Sequence, residues 1–102
     1  MARKLKSLTK KEIDARMKTH AESGWTTNQK ATMLTRSFAF PSFINALAFV
    51  AKITVHAEVL GHHPDIELSY GKVKVKLTTH EVKGLTKADF ELAKRIDNLR
   101  LT

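Results

Sequence analysis

Cysteine is absent from this chain of 102 residues. That excludes disulfides, thiolate metal sites and cysteine nucleophiles. Glycine and proline are scarce, four and two residues, and the glycines are scattered. No glycine-rich phosphate loop, dinucleotide fingerprint or serine-centred nucleophile elbow can be assembled, so nucleotide chemistry and covalent catalysis lack support. Long uninterrupted apolar runs are missing too. The most apolar stretch, 43–60, contains Asn45, Lys52, Thr54, His56 and Glu58, which argues against a membrane span. The basic start Met1-Ala2-Arg3-Lys4-Leu5-Lys6 has no apolar segment behind it, so no signal peptide is expected and cytoplasm is the default location. Acidic residues are few, ten against eighteen Lys and Arg, for a net charge of +8.

A basic balance can mark nucleic-acid binding. Here much of the excess sits in residues 1–7, read as a basic N-terminal arm, and in the helix that follows. Frayed, solvated termini often carry such charge, so nucleic acid is not the expected partner. With 42% hydrophobic residues at this length, residues 1–102 are read as one domain with one core, since two cores would each be marginal.

Thr9 and Glu12 are spaced as a capping box, with Leu8 and Ile13 as the hydrophobic staple. They predict a helix to about His20, whose imidazole would complement the helix dipole. Trp25 opens a strand, Thr27-Asn28-Gln29-Lys30 reads as a hairpin turn, and a second strand starts at Thr32. It places Leu34, Arg36, Phe38 and Phe40 on one face. After Pro41-Ser42 a long helix runs to Gly61, which is placed as its left-handed C-cap. Its apolar rows include Phe43, Ile44, Leu47, Ala48, Ala51, Val55 and Val59. A surface this wide exceeds what one sheet face covers, so contact with another subunit is expected.

Ile66 and Leu68, then Val73, Val75 and Leu77, predict a second hairpin turning at Gly71-Lys72. Its outer face carries Lys72, Lys74 and Lys76. Thr86, Asp89, Leu85 and Phe90 repeat the capping grammar and start a last helix with Phe90, Ala93 and Ile96 on its buried face. The order α-β-β-α-β-β-α fits an α+β fold with helices on one side of an antiparallel sheet.

Candidate chemistry gathers on three of the five histidines. His62 and His63 leave the long helix together. His80 lies at the end of the strand whose partner begins just after His63, and those ends are adjacent in an antiparallel hairpin. Regular alternation puts His80 on the Lys74 and Lys76 face unless a bulge turns it. Three imidazoles could hold zinc, but adjacent histidines diverge and no His-x-x-x-His spacing exists, so no metal is expected. They could serve as general acid and base near neutral pH, or form a turn cluster without function. Glu58, four residues before His62, either orients it or is a surface charge. Asp89 suits the start of a helix on its own account, and a second role requires it to face the histidines. His56 is read as packing or solvent-facing.

The motif Ala57-Glu58-Val59-Leu60-Gly61-His62-His63-Pro64-Asp65 is followed by Tyr70-Gly71-Lys72-Val73, Leu77-Thr78-Thr79-His80-Glu81 and Gly84-Leu85-Thr86. Upstream stand Gly24-Trp25 and Phe38, Phe40, Phe43 and Phe49. Together they resemble the pterin-4a-carbinolamine dehydratases, a family also known as the dimerisation cofactor of a hepatocyte homeodomain transcription factor. The resemblance covers nearly the whole chain. It implies a four-stranded antiparallel sheet with three helices on one face, and a homo-oligomer, dimer or tetramer, using the apolar sides of the long helix. It implies dehydration of 4a-hydroxytetrahydrobiopterin to quinonoid dihydropterin in tetrahydrobiopterin recycling, with no cofactor beyond the pterin substrate and a pathway link to aromatic amino acid hydroxylases.

Mapped by that resemblance, His62, His63 and His80 are catalytic, and Glu58, Asp89, Pro64 and Thr79 support or bind substrate. His62 and His80 would be the acid-base pair and His63 the residue that orients the pterin. Many relatives carry tryptophan where this chain has Ile66, which puts pterin stacking in question. The alternative is a non-catalytic protein-binding or transcription-cofactor module, with nucleic-acid binding a weaker third.

Overall fold

The computed structural model describes residues 6–19 and 23–100. His20 and the first five residues of the N-terminal arm lie outside them. Helix α1 spans Lys10–Thr19. Its capping box is reciprocal: Thr9 N–H donates to Glu12 Oε1 at 2.9 Å and Glu12 N–H to Thr9 Oγ1 at 3.2 Å. Hydrogen bonding from Thr9 holds the Glu12 carboxyl below the usual carboxylate range.

Strand β1 is only Thr26–Thr27, and β2 is Leu34–Ala39. The turn between them is wider than the expected Thr27–Lys30, and the reason is Asn28. Its Oδ1 accepts from Thr32 N–H at 2.7 Å and from Met33 N–H at 3.1 Å. This side chain stands in for a ladder partner and delays pairing until Leu34.

Helix α2, Phe43–Leu60, is capped by Ser42, whose hydroxyl accepts from Asn45 N–H. At the other end Gly61 adopts φ 63°, as the sequence predicts. Its N–H reaches Glu58 O at 3.2 Å and His62 N–H reaches Ala57 O at 3.0 Å, the two bonds of a Schellman motif. Strands β3, Asp65–Ser69, and β4, Lys72–Leu77, form the second hairpin. A short 3-10 helix, His80–Val82, and α3, Lys87–Arg100, complete the chain.

The four strands form one antiparallel sheet in the order β1-β2-β4-β3. Directly opposed residues share a face. Leu34, Arg36 and Phe38 oppose Leu77, Val75 and Val73, while Ile66 and Leu68 oppose Val75 and Val73. This face meets Ala46, Phe49 and Ile53 of α2 and Phe90, Leu92, Ala93 and Ile96 of α3 in one buried cluster. Phe49 stacks between Phe38 and Phe40, with ring centroids 4.8 and 5.0 Å away. The expected α+β architecture is therefore present. By length and composition α2 could cross a membrane, yet its inner side is part of this core. Its outer side leaves Phe43, Ile44, Leu47, Val55 and Val59 exposed.

Candidate active site at the end of the long helix

The Schellman motif decides where His62 points. The chain reverses direction at Gly61, and the imidazole of the next residue turns inward, leaving His62 only 6% exposed. A buried imidazole needs a polar partner, and α3 supplies one: His62 Nε2 lies 2.5 Å from Asp89 Oδ1. The other oxygen, Oδ2, accepts from Thr79 Oγ1 at 2.7 Å and from Thr86 N–H at 2.9 Å. The Thr79 and Thr86 hydroxyls are 2.9 Å apart. Asp89 thus closes the α3 capping box and faces a histidine as well. Among the described residues no buried side-chain nitrogen or oxygen lacks a partner.

Glu58 does not orient His62. It stands one helical turn back on the exposed side, with Oε1 3.5 Å from His63 Nε2. His80 is not the last residue of a strand either. Pairing in β4 stops at Leu77, and the chain folds into the 3-10 helix across a Thr79–Gly84 bridge. Strand alternation therefore does not govern His80, whose Nε2 lies 3.9 Å from Asp65 Oδ2. The side chains of His63 and His80 are 61% and 74% exposed.

The three imidazoles border one corner of the molecule, where α2 ends, β3 starts and the chain leaves β4. Each takes its own carboxylate: Asp89, Glu58 and Asp65. Among the described residues no three His, Asp or Glu side chains are grouped to hold a metal ion. Pro64 is half-buried and leads directly into β3. Ile66 lies on the core face opposite Val75. His56 is half-buried beside Arg95, which also pairs with Glu91. A cleft of about 550 Å³ between Arg16, Leu60, Phe90 and Lys94 includes none of the three corner histidines. The outer sheet face is not uniformly basic: Asp65 and Glu67 oppose Lys76 and Lys74, and Glu67 binds the Lys76 ammonium at 2.9 Å.

The sequence profile of the family described as pterin 4 alpha carbinolamine dehydratase matches residues 6–99. The chain belongs to this family. A relative from Nostoc punctiforme, provisionally named a pterin-4-alpha-carbinolamine dehydratase, is 47% identical over 93 residues, covering 91% of this chain and 96% of its own. A relative from another Nostoc species, with the same provisional name, is 52% identical over 77 residues, covering 76% of this chain and 81% of its own.

Solved structures agree on the fold. One is a transcriptional coactivator/pterin dehydratase from Brucella melitensis, with TM-score 0.83 and 33% identity over 91% of this chain and 97% of that one. Another is a pterin dehydratase-like protein identified as a RuBisCO assembly factor in the alpha-carboxysome. It has TM-score 0.63 and 28% identity over 74% of this chain and 88% of that one. The first is described by a transcriptional as well as a dehydratase role, and the second by the protein it helps to assemble.

Proposed function

We propose that this pterin dehydratase family member is catalytically active and converts 4a-hydroxytetrahydrobiopterin to quinonoid dihydropterin and water. The observation that carries the reading is the buried His62–Asp89 pair at the corner that also bears the exposed imidazoles of His63 and His80. The reaction needs a proton delivered to the C4a hydroxyl and one removed from N5. The N5 lone pair forms the C4a=N5 bond as the C4a–O bond breaks and water leaves. One proton enters and one departs, so no oxidant, reductant or covalent intermediate is required.

His62, held by a carboxylate, suits the base at N5. Asp89 then sits beside the imidazolium that forms, as in other carboxylate–histidine pairs. His80 suits the acid at the hydroxyl, where the water product can leave to solvent, and His63 orients the pterin. Positioned acid-base groups of this kind contribute about 10² to 10⁴ in rate. This proton exchange calls for no metal and no cofactor beyond the pterin, and a cytoplasmic role in tetrahydrobiopterin recycling, serving aromatic amino acid hydroxylases, is consistent with it.

Stopped-flow dehydration of a chemically generated 4a-hydroxytetrahydropterin tests the reading. His62→Ala and His80→Ala are each expected to lower turnover at least about tenfold. Wild-type rates in both variants would refute the assignment.

We further propose that the exposed side of α2 takes a second copy of this chain. Ile44, Ala48, Ala51, Val55 and Val59 recur at spacings of four, three, four and four, the seam that suits helix-on-helix packing. A protein-binding role is the second reading, favoured by the same exposed face and by the coactivator and assembly-factor relatives. Activity lost in the histidine variants with self-association retained would separate the two roles.

A further inference from the structure

The direction of every hydrogen bond around Asp89 can be worked out. As a carboxylate it only accepts. The single hydroxyl proton of Thr79 is committed to Asp89 Oδ2 at 2.7 Å. At the 2.9 Å contact between the two hydroxyls, Thr86 must therefore donate and Thr79 accept. Thr86 Oγ1 in turn accepts from Ala88 N–H at 3.2 Å. The chain Ala88 to Thr86 to Thr79 to Asp89 runs one way, and Thr86 N–H adds a second donor at Oδ2. Oδ1 is left facing His62 Nε2 at 2.5 Å. A proton on Nδ1 alone would set two lone pairs against each other. The cost would be high in a site where Asp89, Thr79 and Thr86 are 0%, 1% and 3% exposed.

We propose that Thr79 and Thr86 are positioning residues that, through Asp89, hold His62 in the tautomer with its proton on Nε2, so that Nδ1 is the atom that exchanges protons. The role of Nδ1 in turnover rests on the dehydratase reading; the tautomer does not. The chain also dictates what Asp89→Asn does. Two donors converge at the Oδ2 position, so the amide oxygen must lie there. The amide NH₂ then occupies the Oδ1 position and donates to Nε2, which forces His62 into the Nδ1–H tautomer and removes the base. Thr79 thereby acts through Asp89 rather than by binding substrate.

The test is ¹⁵N NMR of the full chain labelled at histidine, without pterin, with dehydration kinetics on the same variants. In the neutral wild type, His62 is expected to show an unprotonated Nδ1 and a protonated Nε2. Thr79→Ser and Thr86→Ser should match it; Thr79→Val, which removes one of the two donors that hold Oδ2 and so lets the carboxylate rotate away from Nε2, should show a mixture; and Asp89→Asn should invert the pattern. Turnover of Asp89→Asn is expected to fall on the order of 10³-fold with little change in KM, the signature of a wrong tautomer in a carboxylate–histidine pair. Thr79→Ser should stay within about threefold of wild type.

A wild-type His62 with Nδ1–H, or an Asp89→Asn spectrum unchanged from wild type, would overturn the proposal. If Asp89→Asn does not fold, Thr79→Val against Thr79→Ser decides, and two identical spectra would overturn it. The expected tautomers in a protein without dehydratase turnover would support this assignment and refute only the reading of the chemistry.

Discussion

Gly61 is where the fold sets the direction of His62, and its replacement separates backbone handedness from crowding. The residue sits at φ 63°, and a Cβ added there meets nothing within 4 Å. Sterics with the surroundings therefore contribute nothing to the cost of Gly61→Ala. An L-residue in the left-handed region costs about 1–2 kcal/mol. Restricting the unfolded chain offsets about 0.4–1 kcal/mol of that. The net loss should be about 1 kcal/mol, or about 4–8 °C in Tm for a domain of this length. D-alanine, introduced by chemical ligation, favours positive φ and keeps the unfolded-state gain, so it should raise Tm above that of the glycine protein. Thermal unfolding of the three proteins, followed by circular dichroism, gives the comparison. If D- and L-alanine lower Tm equally, the handedness argument is wrong.

Asp97 accepts from Trp25 Nε1 at 2.7 Å and Arg36 Nη1 at 2.6 Å, so Asp97→Ala should cost about 2–3 kcal/mol and Asp97→Asn less. Urea unfolding read by Trp25 fluorescence measures this, and equal losses in the two variants would show that the acceptor oxygen is not what matters. Glu12 has its carboxyl lowered on folding. Its contribution is therefore present above the unfolded pKa and lost as pH falls through the folded one. The protection of amides at the start of α1, taken relative to the intrinsic exchange rate at each pH, should fall in acid in the wild type, and Glu12→Gln should show little of that change; matching profiles would refute it. Val55→Glu should convert an oligomer to monomer in sedimentation while leaving the far-UV circular dichroism of the folded chain unchanged, because Val55 is 61% exposed in the single chain. A wild type already monomeric at micromolar concentration would refute self-association through α2.

Features encoded within a few residues were legible in the sequence. The Thr9–Glu12 and Thr86–Asp89 boxes, the Gly61 cap and the alternation of Val73, Val75 and Leu77 each depend on local spacing, and each is found in place. Long-range pairing was not legible. Nothing in the spacing of Glu58 and His62 reveals that the helix end rotates His62 away and leaves Glu58 beside His63. The Trp25–Asp97–Arg36 cluster joins residues 72 and 61 positions apart. It did leave a trace: Asp97 follows Ala93 by four residues on the buried stripe of α3, and a carboxylate there demands a donor. The short 3-10 helix at His80 left less, since Lys83 caps it at φ 52° without being glycine.

The bonds that orient His62 are also the bonds that start α3 and tie it to the end of β4. Thr86 and Asp89 satisfy the first turn of the helix, and Thr79 brings in the chain that leaves the strand. A lesion at Thr79, Thr86 or Asp89 therefore acts on stability and on His62 together, since it strands buried donors. His63 and His80 pair with exposed carboxylates, and exposed pairs contribute little to stability. Loss of turnover without loss of Tm should thus be confined to His63 and His80. At the buried positions the two losses are separable only by a readout of the His62 ring itself, because the fold and the site use the same carboxylate.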